Sequence, residues 1–71
     1  MPPVTPVTPE SAAAELSSMA TAVDELTRRV TGLADAFLRA KRDDVAGELY
    51  KAERALIGAR RSLDRVVGWG R

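Results

Sequence analysis

The chain contains no cysteine and no histidine among its 71 residues. Without cysteine it can form neither disulfides nor thiolate metal sites, and without histidine it lacks the commonest general base and metal ligand. It also lacks a glycine-rich phosphate loop and any metal-ligand spacing. Acid–base or nucleophilic chemistry would fall to carboxylates, lysine, serine or the single tyrosine, and no motif surrounds any of these. We therefore expect a protein that is not an enzyme and that holds no cofactor or metal.

Long apolar runs and a strong net charge are also missing. No run approaches the ~18 apolar residues that cross a bilayer, and the opening MPPVTPVTPE has neither the basic nor the apolar part of a secretory signal. The formal net charge is only +1, which does not favour nucleic acid as a partner. These features predict a cytoplasmic protein, and export without a signal peptide stays open.

Proline occurs only within the first nine residues. Residues 1–8 are therefore predicted to form a flexible Pro/Thr-rich tail in extended conformations, because such a segment cannot pack a core. Whether its Thr-Pro steps are modified stays open. Thr8 is expected to cap the first helix, with Pro9 at the first helical position, where proline costs no hydrogen bond.

From residue 12 onward, apolar residues recur at alternating intervals of four and three, which is the heptad pattern of helices that pack along one stripe. This pattern predicts a first helix at about 9–40 and a second at about 44–67. In the first helix the a positions are Leu16, Val23, Val30 and Phe37, and the d positions are Ala12, Met19, Leu26, Leu33 and Ala40. In the second helix the a positions are Leu49, Leu56 and Leu63, and the d positions are Val45, Ala52, Ala59 and Val66.

The heptad phase breaks between Ala40 and Val45, so the chain is predicted to turn at about 41–43, with Asp43 or Asp44 capping the second helix. Folding back there lays acidic segments against basic ones in both halves of the hairpin, which favours an antiparallel pair. The predicted fold is all-α: an antiparallel two-helix hairpin over 9–68, resembling a coiled coil, whose layers pair a residues with d residues. Leu33 with Leu49 and Leu26 with Leu56 are two such layers.

The end of the second helix has two interpretations. Gly68 could close the helix in a left-handed conformation, with Trp69 folded back toward Leu63 or Asp64. Alternatively, Trp69 is an exposed anchor for a partner or a membrane interface. Residues 69–71 are predicted to form a short C-terminal tail.

A hairpin this short has little core of its own, and alanines beside the heptad stripe widen its apolar face. We therefore predict self-association, as a dimer or a higher oligomer, most simply as a four-helix bundle of two hairpins; docking onto another helical protein is the alternative. The candidate partner-binding residues have the aromatic, arginine and aliphatic character of interface anchors. They are Tyr50, Arg54, Ile57 and Arg61, which follow one helical stripe, and Trp69.

The predicted function is thus a protein-interaction or oligomerisation module. The alternative is a membrane-surface protein, because residues 54–71 combine five arginines with several large apolar residues, as interfacial helices do. Against this alternative, Leu56, Leu63 and Val66 are already needed for packing within the hairpin.

Overall fold

The computed structural model describes residues 9–69, which form two α-helices joined by a tight turn. Helix α1 is Pro9–Arg39 and helix α2 is Asp43–Trp69. The two helices pack against each other in opposite directions, so the predicted helical hairpin is confirmed. Neither helix combines the length and the apolar character that crossing a membrane requires. Residues 1–8, with the predicted cap at Thr8, and the last two residues of the predicted C-terminal tail lie outside the described residues.

The turn at residues 40–42 closes α1 with a Schellman motif. The Lys41 N–H donates to the Leu38 carbonyl oxygen at 3.0 Å, and the Arg42 N–H donates to the Phe37 carbonyl oxygen at 2.8 Å. Lys41 has a φ of 64°, and it is the only residue of 9–69 with a positive φ. Glycine is the usual residue here, because a side chain makes the left-handed conformation unfavourable by ~1–2 kcal/mol.

Helix α2 begins one residue earlier than the sequence predicts. The Arg42 carbonyl oxygen accepts a bond from the Ala46 N–H at 3.0 Å, so the residue at the cap is Arg42 rather than Asp43 or Asp44. The reason is that the N–H of Arg42 completes α1 while its carbonyl starts α2. The Arg42 Nε also lies 3.4 Å from Asp44 Oδ1. This hydrogen bond, with one from the Val45 N–H, holds the pKa of Asp44 below its ordinary value.

The far end of α2 corrects another prediction. The helix continues through Gly68 to Trp69, and no glycine within 9–69 has a positive φ. Gly68 therefore does not close the helix in a left-handed conformation. A Cβ atom at Gly68 would meet nothing within 4 Å outside its own stretch of helix, so close packing does not require glycine there.

The seam between the helices differs from the predicted coiled-coil seam. The buried residues of 9–69 are three alanines, Ala20 and Ala34 on α1 and Ala46 on α2. Each occupies the e position, directly after a d residue. The a residues of both helices are half-buried, whereas the d residues Leu26 and Leu33 are 44% and 55% exposed. The helices therefore meet through a and e, and the predicted layers of a with d are wrong.

Small side chains explain this choice of seam. Helices approach more closely where an alanine, rather than a larger side chain, lies between them, and close approach brings the e and a positions together while the larger d side chains turn to one side. The consequence is a thin core: within residues 9–69 no side chain larger than alanine is fully buried. Because apolar burial supplies most of the free energy of folding, a hairpin with so thin a core has little stability on its own.

Candidate interaction surface

Exposed d residues of the two helices form one apolar surface. Seen from one end of the hairpin, successive residues run clockwise around one helix and anticlockwise around the other, because the two chains run in opposite directions. The d positions of both helices therefore lie on the same side of the hairpin. We call this surface the front face. Its members, all of them exposed, are Met19, Leu26 and Leu33 of α1 and Ala52, Ala59 and Val66 of α2.

The border of the front face carries three charged residues among eight. The g positions form its outer edges, one on each helix, and all of them are exposed. Exposed apolar patches of this kind mark interaction surfaces more often than solitary exposed leucines do. The outer edge of α1 consists of Glu15, Ala22, Arg29 and Ala36, and that of α2 consists of Glu48, Ala55, Ser62 and Trp69.

The opposite side of the hairpin, the back face, is closed by polar contacts between its own helices. Arg60 Nη1 donates to both carboxylate oxygens of Asp24, at 3.1 and 2.9 Å, and the Thr31 hydroxyl donates to Glu53. Arg60 Nε lies 3.3 Å from Asp64 Oδ1, near enough for ion pairing, although that buried nitrogen makes no hydrogen bond. From Asp24 to Thr31 the chain advances seven residues along α1, and their partners, Arg60 and Glu53, are seven residues apart in the opposite direction along α2. These contacts fix the register of the two helices.

Tyr50 belongs to these back-face contacts. Its hydroxyl donates to Asp35 Oδ1 at 2.6 Å. The carboxylate stabilises the protonated phenol, and this hydrogen bond, followed by partial desolvation, raises the pKa of Tyr50 above its ordinary value. The sequence groups Tyr50 with Arg54, Ile57 and Arg61 in one helical stripe, but the tyrosine side chain is long enough to reach across to the other helix.

The remaining predicted stripe residues are divided between two surfaces. Ile57 lies one heptad from Tyr50 on the back face and is 38% exposed. Arg54 and Arg61 are exposed on the outer side of α2, and neither forms an ion pair with another described residue. Tyr50, Ile57 and the two arginines therefore do not form one outward surface. Their role in binding a partner stays a prediction.

Trp69 lies apart from the stripe, at the outer edge of the front face. It is 76% exposed, more than any other large apolar residue among those described. Met19, Leu26, Leu33 and Val66 share its side of the hairpin. Trp69 is therefore the predicted partner-binding residue that adjoins the front face.

Sequence reasoning did not identify the front face, because it assigned the d residues to the seam. One signal could have separated the two edges of the apolar stripe. In the middle of α1 the d positions carry methionine and two leucines, whereas the e positions that follow them carry Ala20, Thr27 and Ala34. Small e residues suit a close helix pair and leave the larger d residues for another contact.

Residues 9–69 contain no group of three or more acidic side chains placed to hold a metal ion. Comparison of the chain with protein-family models, with curated proteins and with solved structures finds no match. The front face is therefore the feature from which a function is argued.

Proposed function

We propose that this protein is a non-enzymatic interaction module whose front face binds a second copy, so that two hairpins form a four-helix bundle. The observation that carries the proposal is the contrast between the core and the front face. The hairpin buries three alanines between its helices and exposes methionine, two leucines and valine on one side. Covering that side in a dimer gives each chain the large-residue core that it lacks alone.

The two faces differ in what they offer a partner. Several back-face polar groups are already paired with one another, as in Asp24–Arg60 and Tyr50–Asp35. A partner on that side would displace these bonds, whereas a partner on the front face would displace only water. For this reason the front face is the better supported contact surface.

A membrane surface is the less supported partner. Arg60, in the middle of the arginine-rich segment, is committed to Asp24, and Leu56 and Leu63 are half-buried against α1. Binding of α2 to a bilayer through those leucines would require the hairpin to open.

The test replaces two front-face leucines by charge. Wild-type protein at micromolar concentration should have twice the 7.6 kDa monomer mass by light scattering coupled to size exclusion. The double variant Leu26→Glu, Leu33→Glu should lose the dimer, and its helicity by circular dichroism should fall as well. The matched control Ser18→Glu, Thr21→Glu adds the same charge to the same helix away from the front face and should remain dimeric. A wild-type protein that is a well-folded monomer would overturn the proposal.

A further inference from the structure

We infer, resting on the proposed function, that the second copy lies with its turn at the opposite end of the bundle. Helix α1 then packs on the α1 of the second copy and α2 on its α2. The two-fold axis lies in the plane of the front face and is perpendicular to the helices. It runs from the level of Ala22 on one outer edge to the level of Ser62 on the other. Four features of the described residues lead to this arrangement.

The first feature is the pair of charges on the outer edge of α1. Glu15 and Arg29 have opposite signs, and Ala22 lies midway between them on the same edge. A two-fold axis at Ala22 places Glu15 of each copy beside Arg29 of the other, which forms two ion pairs. Neither residue forms an ion pair with another described residue of its own chain, so both charges are available.

The second feature is the order of side-chain sizes along α1. The same axis brings Met19 of one copy against Leu26 of the other, and Leu33 against Ala12. The small Ala22 stands at the axis, where the two α1 helices come closest. No front-face residue of α1 is left facing a charge.

The third feature is the register of the hairpin itself. The bridges Asp24–Arg60 and Thr31–Glu53 set which residues of α1 and α2 are level with each other. By that register Ser62 is level with Ala22, so one axis can pass both. The position of the axis on α2 therefore follows from α1 and is not chosen separately.

The fourth feature is the set of α2 residues that this axis brings together. It brings Ala59 against Val66 of the second copy, so a small residue meets a larger one. Ser62 lies midway between Ala55 and Trp69 on the outer edge. The exposed indole of Trp69 therefore covers Ala55 of the second copy, where a small side chain leaves room for it.

The arrangement with both turns at the same end is disfavoured by the same residues. There α1 would pack on the α2 of the second copy, and the register would place Glu15 beside Trp69 and Arg29 beside Ala55. Both charges would stay unpaired at the edge of an apolar surface. Charge and size therefore point to turns at opposite ends.

Charge reversal tests the arrangement separately from dimerisation. Glu15→Arg places arginine beside Arg29 of the second copy, and Arg29→Glu places glutamate beside Glu15. Each variant alone should weaken self-association by about tenfold at low salt, because two pairs become repulsive. An equimolar mixture of the two variants should restore wild-type affinity, since both pairs of positions 15 and 29 then join opposite charges. A wild-type dimer whose mixed variants associate no better than either alone overturns the arrangement and leaves the proposed function standing.

Cross-linking tests the arrangement by distance, which does not depend on the salt concentration. The chain has no native cysteine, so single cysteines can be placed at Ala22 or Ser62 and treated with a short bismaleimide. With turns at opposite ends, Ala22→Cys and Ser62→Cys each cross-link to themselves, because both lie at the axis. With turns at the same end, only a mixture of the two variants cross-links. Thr21→Cys, one residue away and off the front face, measures random collision.

Discussion

Lys41 shows how a single residue determines the geometry of the turn. It holds a left-handed conformation with a φ of 64°, and its N–H and that of Arg42 bond to the last carbonyls of α1. The Lys41 side chain is exposed and forms no ion pair with another described residue. The turn therefore stores an unfavourable conformation that glycine would relieve.

Lys41→Gly should raise the free energy of unfolding. Relief of the left-handed conformation outweighs the greater freedom of glycine in the unfolded chain, with a net gain of about 0.5–1 kcal/mol. Urea unfolding at one fixed protein concentration measures the gain, because association also affects apparent stability. Lys41→Ala is the control, since it removes the same long side chain but keeps the Cβ. Equal stabilisation by both variants would mean that the side chain, and not the backbone, causes the effect.

At the scale of the helices, the alanines at e positions determine how α1 and α2 meet. Ala34 is fully buried, and Ala46 nearly so, between the two helices. A larger residue there must push the helices apart or change the seam. The close pair of helices is thus a property of three small residues rather than of the leucines in the heptad pattern.

Ala34→Leu should lower the free energy of unfolding by about 1–3 kcal/mol, the usual range for overpacking a filled site. Ala14→Leu is the matched control, because it makes the same change on the same helix at an exposed position away from the front face and should have little effect. Thermal or urea unfolding of both variants makes the comparison. If leucine at 34 is as well tolerated as at 14, the helices meet through another seam, and the a-with-d layers regain support.

The sequence predicted the two helices and the turn, because the heptad phase breaks between Ala40 and Val45 and charge favours folding back. It did not predict the seam. Periodicity identifies an apolar stripe on each helix, but d and e both border the a positions, and the distance between helices decides which of them is buried. The contact of Tyr50 with α1 could not be predicted for a related reason. Its hydrogen bond to Asp35 depends on how far the long tyrosine side chain reaches from α2.

At the scale of the whole molecule, the hairpin has two faces of different chemistry. The back face joins α1 to α2 by polar contacts that fix the register, and the front face offers apolar side chains with no partner of their own among the described residues. The back face thus specifies the hairpin, and in the proposed dimer the front face is the surface that association would stabilise. Folding and dimerisation are then coupled, so apparent stability should depend on protein concentration.

Trp69 reports this coupling directly, because it is the only tryptophan of the chain and is 76% exposed in the isolated hairpin. Its fluorescence emission should shift to shorter wavelength as the concentration rises through the range in which light scattering detects the dimer, since the indole then covers Ala55 of the second copy. Ala55→Glu should reduce that shift by placing a charge under the ring. Ala36→Glu, the corresponding exposed alanine on the edge of α1, should leave it unchanged. A dimer in which Trp69 keeps the emission of a solvent-exposed indole would remove it from the interface and require an axis that does not pass Ser62.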